Sequence, residues 1–152
     1  SKALSLPGLR MGWIIAPDDA QRARIIDARS YFTISSSPLL ERLATHALEH
    51  SAAITDRLKA VATVNIAVLD RLIDEADGKL QWVRPQGGTT AFPWLGDGRD
   101  SRPLCEALAA QGVLLAPGDC FGRPAHIRLG FAQQAEGFAI AVERIATALT
   151  IV

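Results

Sequence analysis

The sequence predicts a mixed α/β chain, a two-layer α+β arrangement of short strands and packed helices. Two observations predict it. Apolar residues recur at three-and-four spacing in several separate stretches, the mark of helices with one buried face. After Gly78 that period gives way to short apolar runs cut by Gly and Pro, the mark of strands joined by turns. No internal period of about 20–50 residues and no low-complexity tract appears, so a repeat solenoid is excluded.

Residues 9–16 (LRMGWIIA) form a mostly apolar run ended by Pro17 and predict a buried strand. Asp18, with Gln21 three residues on, opens a helix that carries Ile25, Ile26 and Ala28 toward Tyr31 and Phe32. The polar stretch 33–37 ends in Ser37-Pro38, a cap followed by the residue best suited to a first helical position. The next helix should bury Leu40, Leu43, Ala44 and Ala47. A longer one follows over 51–76, with Ile54, Leu58, Val61, Val68 and Leu72 on one stripe and Gly78 as its stop. At 1.5 Å per residue it would reach about 40 Å, more natural as a connector between domains than inside one small domain.

Strands are expected at 80–83 and 89–95, separated by Pro85-Gln86-Gly87-Gly88, with Pro93 forcing an edge or a bulge. A short helix from Ser101 or Arg102 to Gly112, strands at 113–116 and 126–131, and a helix through Phe138, Val142, Ile145 and Leu149 complete the order.

The chain has 152 residues, 49% apolar and 21% charged, with sixteen basic and sixteen acidic residues. That hydrophobic content offsets ordering entropy and excludes disorder. A neutral balance argues against a nucleic-acid partner gripped through phosphates. No run approaches the roughly 18–20 apolar residues that span a bilayer, so no membrane partner is expected. Cys105 and Cys120 lack disulfide-framework or metal spacing, which makes a reducing, cytoplasmic compartment the expectation. The start at Ser1-Lys2, without Met or a signal peptide, is what a fragment of a longer protein would show.

The chemistry concentrates at the start: Ser1-Lys2, then Pro7-Gly8, then Arg10-Met11-Gly12-Trp13. Lys2 is one of three lysines against thirteen arginines. A desolvated amine condenses with an aldehyde, and a guanidinium grips phosphate through paired hydrogen bonds. A turn at Pro7-Gly8 would let both face one ligand carrying an aldehyde and a phosphate, as pyridoxal phosphate does. Taken singly, Lys2 reads as a solvated terminal charge and Arg10 as a surface group; the combination carries the argument.

That combination resembles the fold-type-I pyridoxal-phosphate enzymes, specifically the class I/II aminotransferases, in which an Arg followed by x-Gly stands eight residues after a Ser-Lys pair. Pro85 to Phe92, the loop Pro117-Gly118-Asp119-Cys120-Phe121-Gly122 and the stretch His126-Ile127-Arg128-Leu129-Gly130-Phe131-Ala132 are similar to three further family segments. The resemblance implies that Lys2 is the Schiff-base lysine and proton shuttle, Arg10 the cofactor-phosphate ligand, Ser1 an accessory hydroxyl, and Arg128 the holder of the substrate α-carboxylate. It implies pyridoxal 5'-phosphate as cofactor, amino acid and 2-keto acid substrates, and a homodimer for the full-length protein. It assigns no metal ligands. It also implies the C-terminal portion of the fold. Residues 1–50 would end the large cofactor-binding domain, and 51–152 would form the small C-terminal domain, a short, mostly antiparallel sheet with packed helices.

In that family the rest of the cofactor cradle precedes the lysine. This polypeptide alone is therefore expected to bind cofactor weakly or not at all, and to be inactive. Relatives acting on dicarboxylic acids carry an Arg near the position of Phe32, which implies a neutral or apolar substrate side chain here. Other fold-type-I activities use similar residues and stay open. So does an aminotransferase-like effector domain of a transcription regulator. A different class is signalled by His46, Glu49 and His50, which fit the H-x-x-E-H pattern of inverted zinc peptidases with both His on one helix face. A five-residue pattern can arise by chance, and no third ligand stands at a convincing position, so this reading ranks below the transaminase.

Overall fold

The computed structural model describes residues 4–33, 35–132 and 137–151. The chain divides into two compact units, residues 1–55 and 56–152.

In the first unit the expected strand over 9–16 does not form. Pro7–Leu9 make a single 3-10 turn instead, and 10–16 run on without regular structure. A strand exists only through a hydrogen-bonded neighbour, and none lies beside this run among the described residues. Trp13, Ile14 and Ile15 are accordingly exposed, Ile15 at 85%, and Leu9, Met11 and Ala16 are half-buried. Helix α1 (Asp19–Ser30) starts where expected, with the Asp18 carboxylate accepting from the Gln21 backbone N–H at 2.7 Å. Helix α2 (Pro38–Glu49) begins with Pro38 in its first turn. Of its four expected core positions only Ala47 is buried; Leu40 and Ala44 are half-buried and Leu43 is exposed.

Helix α3 (Ser51–Glu75) is one continuous element. Beyond it Asp77 and Gly78 take left-handed backbone angles (φ 47° and 78°), which ends the helical path. The stripe that descends through Leu58, Val61, Val68 and Leu72 includes a polar member, Asn65, 1% exposed.

The second unit pairs its strands antiparallel. Strand β1 (Leu80–Gln81) lies against β3 (Trp94–Leu95), and β5 (Ile127–Gly130) sits between β2 (Thr90–Ala91) and β4 (Ala116–Pro117). The expected 89–95 strand is thus split into β2 and β3 at Phe92-Pro93. Proline has no N–H to give the ladder, but its carbonyl still accepts from Ile127 N at 2.8 Å, and Trp94 bridges to His126. The strand expected at 113–116 pairs only at Ala116–Pro117. Helices α4 (Arg102–Ala109) and α5 (Phe138–Ile151) join α3 around a core that includes Leu69, Leu95, Leu108, Ile127, Phe131 and Ile145. Alternation along β5 sends Ile127 and Leu129 into this core and leaves Arg128 and Gly130 exposed. The architecture is the mixed α/β, antiparallel-sheet-and-helix arrangement the sequence predicts. No described helix is long and apolar enough to cross a membrane.

Candidate active site

Arg128 projects from the open face of β5, and the neighbouring residues explain how it is held. Its guanidinium carbon lies 5.8 Å from the centroid of the Phe121 ring, a cation-π distance. Phe121 meets Phe92 edge-on at 5.8 Å, Phe92 stacks near His126 at 4.7 Å, and His126 lies 5.6 Å from Trp94. These rings come from the β2–β3 split, the loop before β5 and the start of β5. Together they form an aromatic shelf with Arg128 at its edge. His126 Nδ1 is buried on this shelf with no hydrogen-bond partner among the described residues.

The loop carrying Phe121 is fixed from below. Gly118–Phe121 form a 3-10 turn, closed by Gly122 in the left-handed region. Ser101, at the start of α4 and 0% exposed, donates its hydroxyl to the His126 carbonyl at 2.6 Å. The same oxygen accepts from the Gly118 N–H at 3.3 Å. One buried hydroxyl therefore ties the first residue of the loop to the residue preceding β5. No side chain fits at Gly118: a Cβ there would stand 2.0 Å from the Arg123 carbonyl oxygen and 2.4 Å from that of His126.

On the outer side of this loop Asp119 accepts from Arg102 Nε at 3.0 Å and Nη2 at 2.6 Å. The hydrogen bonds and charge of Arg102 lower the Asp119 pKa, and Asp119 in turn raises that of Arg102. A second fork joins Arg84 to Asp70 at 2.7 and 3.0 Å, again lowering the carboxylate. Cys105 is buried in α4, and desolvation raises its thiol pKa, as expected of an inert core residue. Cys120 is exposed, with Arg102 Nη2 3.7 Å from its sulfur.

The expected site residues at the start of the chain fall in two groups. Ser1 and Lys2 lie outside the described residues. Arg10 follows the 3-10 turn at φ 48°, its Nη1 donating to the Pro7 carbonyl at 3.4 Å. Its backbone N–H donates to the same carbonyl, and the exposed guanidinium has no other hydrogen bond or ion pair among the described residues. That donor set fits a phosphate group such as the one pyridoxal phosphate carries. Arg10 belongs to the first unit and Arg128 to the second. His46, Glu49 and His50 are brought together on the exposed side of α2, one donor atom from each lying within 4.8 Å of the others. Sequence reasoning assigned no role to Ser101, Phe92 or Phe121. The Pro117-to-Gly122 pattern was the available signal for Phe121, whereas nothing local marks Ser101 as more than a helix-start residue.

The chain is similar to solved structures of pyridoxal-phosphate-dependent enzymes. It matches a pyridoxal-phosphate-dependent aminotransferase from Streptococcus suis with a TM-score of 0.89 at 31% identity, over 98% of this chain and 40% of that one. It matches the pyridoxal-phosphate-dependent cyclase OrfR with a TM-score of 0.88 at 29% identity, over 98% and 41%. In sequence it is 42% identical over 133 residues to capreomycidine synthase of Streptomyces vinaceus, covering 86% of this chain. The chain spans 34% of the length of that relative. A model of the class I and II aminotransferases matches residues 1–145, and the chain belongs to that family.

Proposed function

We propose that this chain is the C-terminal part of a pyridoxal-phosphate enzyme that moves an amino group between an amino acid and a 2-keto acid. The observation that carries the reading is the continuous family match over residues 1–145, which takes in Lys2, Arg10 and Arg128 together. Residues 1–50 end the cofactor domain and 51–152 make the small domain. The exposed apolar side chains of the first unit, among them Trp13, Ile14 and Phe32, then find their cover in the rest of a longer chain.

When bound, the cofactor supplies an aldehyde that condenses with amines and a ring that stores the electron pair released at the substrate Cα. The protein's own residues do the rest. Arg10 would hold the cofactor phosphate through paired N–H donors. Arg128 pairs with the substrate carboxylate through two parallel N–H donors, and the Phe121 ring limits the arc its guanidinium can sweep. Lys2 Nζ would take the proton from the substrate Cα and hold it as an ammonium, the step that orientation by Arg128 would accelerate. Phe32, in place of an Arg, fits a substrate with a neutral or apolar side chain.

A second reading has its own support. The pyridoxal-phosphate-dependent cyclase OrfR matches almost as well as the Streptococcus suis aminotransferase, with a TM-score of 0.88 against 0.89. In that reading the same three residues serve a ring-forming reaction that keeps the amino nitrogen in the product. One experiment separates the possibilities. The longer protein carrying this chain is loaded with pyridoxal phosphate and given amino acids with and without 2-oxoglutarate. Transfer of labelled nitrogen to the keto acid, abolished by Arg128→Gln, supports transamination. Turnover that retains the nitrogen supports the cyclase. Colour without turnover supports the effector domain of a regulator, and absence of a visible band sinks all three.

A further inference from the structure

The aminotransferase reading leaves one cluster of ligating side chains unused, at the end of α2. His46 and His50 are four residues apart, so they project from one helix face on successive turns, and Glu49 stands beside them. Their donor atoms lie within 4.8 Å of one another. The imidazole rings are 4.1 Å apart and tilted by 39°. His50 Nδ1 lies 2.9 Å from the His46 carbonyl oxygen, and donation from that nitrogen leaves Nε2 with the lone pair. A backbone carbonyl holding one ring nitrogen so that the other can ligate is the usual support of a metal-bound histidine.

We infer that His46, Glu49 and His50 form a three-ligand site for a divalent transition-metal ion of the zinc class. Two imidazoles and one carboxylate make a donor set of the kind that zinc, nickel and copper prefer over magnesium or calcium. Ligands about 2.0–2.1 Å from a tetrahedral ion stand roughly 3.4 Å apart, so the cluster must close by up to about 1.4 Å. All three side chains are exposed and have rotamer freedom to do so. With Glu49 spent as a ligand and the fourth position open to water, the site lacks the general base of a peptidase. An ion held there acts on the helix end that carries its ligands. His50 is the residue on which α2 ends, immediately before α3 starts at Ser51, and an ion bridging His46 to His50 staples that last turn.

The test is calorimetric titration of the full chain with zinc chloride, paired with thermal unfolding. One equivalent should bind, with affinity reduced at least about tenfold in His46→Ala and in His50→Ala and less in Glu49→Gln. The unfolding temperature should rise with zinc in the unaltered chain and not in the double His variant. Failure to saturate below about 100 µM zinc overturns the site. So does binding that survives the double His46→Ala/His50→Ala change, because the ion is then adventitious. Neither readout depends on the pyridoxal-phosphate reading.

Discussion

Replacing Ser101 with Ala isolates the contribution of a single buried oxygen. The residue is fully buried, and its hydroxyl serves two backbone groups, the His126 carbonyl at 2.6 Å and the Gly118 N–H at 3.3 Å. Alanine fits the space but satisfies neither. A buried group left without a partner costs about 1–3 kcal/mol, and partial relaxation of the loop should hold the total to roughly 2–4 kcal/mol. With a urea slope of about 2 kcal/mol/M, the midpoint should fall by about 1–2 M. Urea unfolding followed by tryptophan fluorescence is the assay, with Trp82 and Trp94 as reporters in the same unit. A midpoint within about 0.25 M of the original, or roughly 0.5 kcal/mol, would show that the hydroxyl ties nothing down.

Gly118→Ala should be similarly severe for a steric reason, since its Cβ would collide with two backbone carbonyls that no rotamer can move. We expect a loss of about 1–3 kcal/mol in the same unfolding assay, and unchanged stability would mean that the loop yields freely. The Arg84–Asp70 fork gives a pH signature. Pairing lowers the folded-state Asp70 pKa, so its contribution is complete above the ordinary carboxylate range and disappears as pH falls through the lowered value. The difference in melting temperature between the unaltered chain and Arg84→Ala should therefore be small and steady near neutrality and shrink on acidification. It stays small because the pair is open to solvent, Arg84 exposed and Asp70 half-buried. A gap that widens in acid would contradict this sign.

Helices were the most legible part of the fold. Asp18, Pro38 and Gly78 each mark a boundary by local chemistry, and the structure keeps each one. Strands were less so, because pairing depends on residues far away in sequence. Residues 9–16 are apolar enough for a strand, yet nothing described lies alongside to make them one. The 89–95 strand is broken where Pro93 withholds a donor, an outcome its presence foretold without saying on which side the ladder would resume. At the candidate site, Arg128 and the Phe121 loop could be located from motif spacing. Ser101 could not, since its partners Gly118 and His126 are 17 and 25 residues away. The strip predicted along α3 passed over Asn65, because an apolar pattern has no place for an amide.

That amide has a consequence for the connecting helix. Asn65 Nδ2 donates to the Phe131 carbonyl at 2.9 Å, just beyond the strand that presents Arg128. An all-aliphatic seam would tolerate a helix rolled by a fraction of a turn or slipped along its axis. Here either displacement would strand a polar headgroup in oil, so α3 has one permitted phase against the sheet. The bond thus acts as a keyway that holds α3 and the end of β5 in one register.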